Sequence, residues 1–160
     1  MEIDKNALVI SRAEINIAAP PDRVWEVFTN ISAWPDWHDG IESATLDDPL
    51  AVGASFQWHT WGLDVTSMIG ELIPHQRLVW SGLVRGIMAI HAWQFTAVDG
   101  GTLVQTEESW DGASVRPQAD AFRQTLEESL HAWLLSLREA AETYVKPDSD
   151  DDVGLEGGNW

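Results

Sequence analysis

The chain has 160 residues, 44% hydrophobic and 22% charged, enough to bury one sizeable core, and it contains no run near the roughly 18 consecutive apolar residues of a membrane span. A formal net charge of −17 repels phosphate backbones, and no basic stripe with interleaved aromatics is present, which argues against nucleic acid as a partner. With no cysteine at all, disulfides, thiolate nucleophiles and cysteine-held zinc or iron–sulfur centres are excluded.

The first ten residues interleave acids with a short apolar run and lack the basic start and small-residue cleavage site of a secretory signal, so a cytoplasmic location is expected. Residues 11–17 alternate polar and apolar and predict a first strand, halted by Ala18-Ala19-Pro20-Pro21. Pro21 suits a first helical turn, and Val24, Trp25, Val27 and Phe28 recur at helical spacing. Ile31 with Trp34 predicts a second short helical piece, which Pro35 is expected to break. The segment Trp34-Pro35-Asp36-Trp37-His38 then meets the sheet as a pocket lid or a hydrophobic clamp.

Six strands are predicted next, over residues 41–46, 54–60, 63–73, 77–83, 87–97 and 102–110, punctuated by turn residues such as Gly53, Trp61-Gly62, Pro74-His75 and Asp99-Gly100. Hairpin spacing with no helix between them predicts an antiparallel meander. Asp99-Gly100 reads as a two-residue type I′ turn with positive φ at both central residues. If Val98 pairs with Gly101, then Phe95 faces Val104, Trp93 faces Thr106 and His91 faces Glu108; a looser turn with Gly101 as a bulge would shift the pairing by one. Between positions 117 and 144 apolar residues at Phe122, Leu126, Leu130, Trp133, Leu134, Leu137, Ala141 and Tyr144 mark one long amphipathic helix. Residues 147–160 have little to bury and read as a disordered acidic tail behind a domain spanning 1–146.

The expected class is therefore α+β, with the long helix covering one face of a curved antiparallel sheet and leaving a cavity where the two diverge. Ten tryptophans against one tyrosine suit a broad aromatic wall; Trp58, Trp80 and Trp93 fall on three different strands and with Phe56 would face that space. His91 and Glu108 are the best polar pair, read as an anchor for a ligand in an apolar pocket. None of the five histidines has metal-ligand spacing, and no phosphate-cradling or nucleophile-elbow motif is present, so neither a metal nor a cofactor is implied.

Taken in order, several motifs carry a resemblance. These are Ile15-x-Ile17-x-Ala19-Pro20, Val24-Trp25, Trp34-Pro35-x-Trp37, Gly53-x-x-Phe56-x-Trp58, Ser67, Glu71-x-x-Pro74-x-x-Arg77-Leu78-x-Trp80-x-Gly82, His91-x-Trp93-x-Phe95 and Gly101-Thr102-x-Val104-x-Thr106-Glu107-Glu108-Ser109-Trp110-x-Gly112. Over roughly residues 11–144 the chain resembles the polyketide cyclase/dehydrase-like branch of the START and birch-pollen-allergen (SRPBCC) superfamily. The resemblance implies a helix-grip fold with an internal cavity, among relatives that include lipid carriers, hormone receptors and aromatase/cyclases. Cyclising relatives use pocket Arg, Tyr, Ser or His side chains, whereas the arginines here fall mostly at strand ends, turns and the outer helix face.

The leading expectation is binding or carriage of a flat, hydrophobic small molecule. Its walls would be Trp37, Phe56, Trp58, Trp80, Trp93, Phe95, Leu130 and Trp133, and its polar anchor His91 with Glu108. The alternatives are a cyclase/dehydratase in which His91, poised by Glu108, removes a proton beside a ketone, and a protein-interaction module with an exposed apolar patch.

Overall fold

Period-two alternation builds the sheet and period-3.6 spacing the helix that covers it. The computed structural model describes residues 1–143. In chain order these form β1 (Val9–Ile17), α1 (Pro21–Thr29), a 3-10 turn (Ile31–Ala33), α2 (Trp34–Trp37), β2 (Ile41–Thr45), β3 (Ser55–Thr60), β4 (Leu63–Ile73), β5 (Arg77–Val84), β6 (Ile87–Val98), β7 (Gly101–Asp111), a second 3-10 turn (Arg116–Gln118) and α3 (Ala119–Thr143). The strands make one antiparallel sheet in the order β1-β7-β6-β5-β4-β3-β2. This is the helix-grip arrangement. The expected acidic tail at 147–160 and Tyr144 lie outside the described residues.

The β6–β7 register is the expected one, with Val98 opposite Gly101, Phe95 opposite Val104, Trp93 opposite Thr106 and His91 opposite Glu108. The turn that sets it differs from expectation. Only Gly100 takes positive φ (+83°), as in a type II turn, and Asp99 does not. Two-residue turns with both residues at positive φ, the type I′ pattern, occur instead at Trp61-Gly62 and Arg85-Gly86. Register survives because two residues connect the strands in either case.

Pro35 does not break a helix; it sits in the first turn of α2, where a missing N–H costs nothing. The α1–α2 segment folds inward between sheet and α3. Its Phe28 and Trp34 are fully buried, and Trp34 Nε1–H donates to the Phe28 carbonyl at 2.8 Å. Around them lie Phe56, Trp80, Trp93, Phe95 and Trp133, with ring centroids 4.5–6.1 Å from Phe28 or Trp34. The α3 side chains Leu134, Leu137 and Ala141 complete this cluster, and Leu126 and Leu130 join a second one with Val9 and Val115. On the outer sheet face Ile3 packs on Val79 and Ala92. Core packing thus fills the sheet–helix space toward the C-terminal end of α3 and leaves its N-terminal half over a gap.

Candidate functional site

The gap is a cavity of about 230 Å³ bounded by the sheet, the end of α2 and the first half of α3. The sheet contributes Trp58 and Thr60 from β3, Leu63 and Val65 from β4, Val84 from β5, Ile87, Ala89 and His91 from β6, and Glu108 and Trp110 from β7. From α3 come Phe122, Thr125, Ser129 and Trp133, four positions that share one helix face. His38, just after α2, and Trp61, in the β3–β4 turn, complete the wall. A larger depression on the outer sheet face, about 420 Å³, is more open and walled by Arg12, Glu14, Arg77, Gln94, Gln105 and Glu107, an ordinary charged surface. The cavity under α3 is smaller than the roughly 300–1,000 Å³ of drug-sized sites and fits a molecule of one or two fused rings.

Four of the ten sequence-predicted residues line this cavity, namely Trp58, His91, Glu108 and Trp133. Phe56, Trp80, Trp93 and Phe95 do not, because Phe28 and Trp34 cover them. Leu130 faces Val9 and Val115 instead, and Trp37 packs half-buried against His38 and Trp133 outside the lining. Thr60, Trp61, Leu63, Val65, Val84, Ile87, Ala89, Trp110, Phe122, Thr125 and Ser129 escaped sequence reasoning as site residues, and His38 was read only within a segment that was either a pocket lid or a clamp. Strand parity pointed to some of them: Trp110 shares a face with Glu108, and Val84 with Trp80. His38 stood in the segment read as a pocket lid or a hydrophobic clamp, and tertiary folding places it against Trp133 in the wall.

His91 and Glu108 form a closed polar network. His91 is 1% exposed, and its Nδ1 lies 3.1 Å from Glu108 Oε1. The Thr106 hydroxyl donates to the Ala92 carbonyl at 3.0 Å, so its oxygen accepts from His91 Nε2–H at 2.8 Å. A neutral imidazole protonated at Nε2 offers Nδ1 as an acceptor, and a protonated Glu108 supplies the hydrogen. The remaining oxygen, Oε2, accepts from Trp110 Nε1–H at 2.9 Å. Burial sets these protonation states: it pushes Glu108 up to about 7, against the opposing Trp110 bond, and His91 down to about 3. Pair and cavity are therefore uncharged below neutrality, and an acid–imidazole hydrogen bond replaces the ion pair that low dielectric disfavours.

Two further groups shape the wall. Trp58 Nε1–H donates to Ser67 Oγ at 3.1 Å, and Gly82 lets that hydroxyl approach, since a side chain there would crowd Thr66 O and Ser67 Oγ. His38 Nδ1 accepts from Gly40 N–H at 3.0 Å, which places the ring hydrogen on Nε2, a buried atom with no hydrogen-bond partner. Burial lowers the His38 pKa and keeps this ring neutral too; it stands edge-on to Trp133 at 4.5 Å. Among the described residues no group of three or more metal-ligating side chains converges, and no helix is long and apolar enough to cross a membrane.

Residues 9–142 match the model of the family described as polyketide cyclase / dehydrase and lipid transport. No curated protein matches. Among solved structures, a hypothetical protein, jhp0584 from Helicobacter pylori, superposes with a TM-score of 0.77 at 18% identity, over 87% of this chain and 91% of its own. A START superfamily protein from Mycobacterium smegmatis gives 0.73 at 10% identity over 83% and 97%, and Ara h 8.0201 gives 0.70 at 12% over 84% and 98%. These identities establish a shared fold, and the match over residues 9–142 goes further: the chain belongs to the family described as polyketide cyclase / dehydrase and lipid transport.

Proposed function

We propose that the protein binds and carries a small, largely apolar molecule in the cavity beneath α3, with the Glu108–His91 pair as its polar anchor. The observation that carries this reading is a partly open, mostly apolar space of about 230 Å³ whose wall includes a neutral, fully hydrogen-bonded acid–imidazole pair. Apolar walls supply affinity by burial, and a single oriented acid supplies orientation. Native mass spectrometry of freshly purified protein tests it directly, with a copurified small molecule as the expected result. Failure of any one- or two-ring hydrophobic probe to quench Trp58 or Trp133 fluorescence would count against it.

One observation favours a second reading. A carboxyl group with a pKa of about 7 can both give and take a proton near neutral pH, as a general acid–base must. In a cyclase or dehydratase Glu108 would transfer the proton, and His91, whose nitrogens face Glu108 and Thr106, would position it. Turnover of a ketone substrate that disappears in Glu108→Gln at unchanged binding would favour this enzyme reading over carriage.

A further inference from the structure

The composition of the cavity wall goes beyond apolar packing. Four indoles line it, Trp58, Trp61, Trp110 and Trp133, together with Phe122, while among the described residues no lysine or arginine does. The faces of these rings carry the negative side of the aromatic quadrupole and attract a cation, indole most strongly. Among the described residues Glu108 is the only carboxyl group in the lining, and Trp110 is bonded to it. The titratable groups facing it are His91 on β6 and His38 after α2, both held neutral by burial, so nothing in the wall competes with a guest for a positive charge. Outside, a net charge of −17 raises the concentration of cations near the mouth.

We propose that the cavity takes an organic monocation on an apolar body, an aromatic or alkyl amine or quaternary ammonium, held against the indole faces and balanced by Glu108. This rests on the cavity being a small-molecule site and narrows that reading to one charge class. The exchange is electrically neutral. The empty cavity holds a proton on Glu108; the guest brings in one positive charge, and one proton leaves for solvent, so no unpaired charge is buried. Ionised Glu108 needs a donor at His91 Nδ1 to keep their 3.1 Å contact attractive. The Thr106 hydroxyl, which donates to Ala92 O in the empty cavity, turns to donate to Nε2, and the imidazole changes tautomer from Nε2–H to Nδ1–H.

Three probes of similar size separate the charge classes: benzyltrimethylammonium, its uncharged isostere neopentylbenzene, and the anion phenylacetate. Titration calorimetry at pH 8 is expected to show the cation binding about tenfold or more tightly than the isostere, with phenylacetate weakest. That advantage should shrink at pH 5.5, and at pH 6 binding should release close to one proton, measured in two buffers of different ionisation enthalpy. Nitrogen NMR of His91 should record the tautomer change. In Glu108→Gln, whose amide still donates to His91 Nδ1, the cation's advantage at pH 8 should fall several-fold and lose its pH dependence; the wild-type pH series decides the matter even if that variant does not fold. An isostere binding as tightly as the cation at pH 8, or phenylacetate binding tightest, overturns the charge assignment and leaves the cavity reading standing. Binding of none of the three overturns both.

Discussion

Burial acts on Glu108 and His91 in opposite directions, and the two effects give the fold a characteristic pH response. Glu108, raised in the folded protein to about 7 from an ordinary 4.5, keeps a proton that the unfolded chain loses, so its contribution to stability falls as pH rises from about 4.5 to 7. His91, lowered to about 3 from 6.5, stays neutral where the unfolded chain protonates, so its contribution is full above about 6.5 and is lost as pH falls toward 3. Between about 4.5 and 6.5 the slopes cancel; above that window Glu108 alone acts. Replacing Glu108 by Gln keeps a donor toward His91 Nδ1 and removes the ionisation. The melting temperature of Glu108→Gln, measured against wild type, should therefore be nearly equal at pH 5 and higher by roughly 3 °C or more at pH 8, given about 2–4 °C per kcal/mol in a domain of this size. Trp133 and Phe28 form a contrasting pair. Phe28 is packed on all sides by Trp34, Trp80, Trp93, Phe95 and Trp133, whereas Trp133 has the cavity on one side. Phe28→Ala should cost about 3–5 kcal/mol in urea denaturation, and Trp133→Ala about 3 or less, because part of the void it leaves already exists.

Elements divide the sheet–helix space between core and site. The α1–α2 segment fills the end toward the C-terminus of α3, and the hairpin turns at Trp61-Gly62 and Arg85-Gly86 stand at the other. The second of these turns is fastened to the β7 exit: Ser114 Oγ donates to the Arg85 carbonyl at 2.8 Å, and Gly112, at φ +132°, lies directly against the Gly86 carbonyl oxygen. A Cβ at Gly112 would meet that oxygen and adopt a backbone conformation that L residues avoid. Gly112→Ala should destabilise the protein by about 1–3 kcal/mol, and hydrogen exchange should rise in the β5–β6 turn ahead of the rest of the sheet. The β6–β7 register was legible from Asp99-Gly100 and from the alternation of His91, Trp93 and Phe95, since a one-residue slip would turn three buried side chains outward. The turn type was not, because strands paired over eleven residues hold a two-residue connection in more than one conformation.

At the scale of the molecule, one antiparallel sheet is held to one helix by two buried apolar clusters, and smaller ties join its ends: Thr102 Oγ1–H to Ala19 O at 2.7 Å, and Ala18 N–H to Glu142 Oε2 at 2.8 Å. These ties and the core are made among the described residues, and the composition of residues 147–160 offers almost nothing to bury. Truncation after residue 146 should therefore leave the melting temperature within about 2 °C of full length at moderate salt, and at low salt should raise it slightly by removing like charge. A larger fall in differential scanning calorimetry would mean that Leu155 or Trp160 contributes to the core.

Strand and helix periods, turn residues at hairpin spacing and a single long amphipathic stretch were sufficient to determine the fold from sequence, because each reports a local rule of backbone geometry. They also brought His91 and Glu108 together, as neighbours on paired strands. Which aromatic residues bound the cavity was decided only in three dimensions. Phe56, Trp80, Trp93 and Phe95 share the concave face with Trp58, yet two side chains from a distant segment, Phe28 and Trp34, cover them. His38 enters the wall only because that same segment folds against Trp133. Periodicity states which face a side chain occupies; what fills the space above that face depends on volumes contributed from elsewhere in the chain, and these exist only once the core has packed.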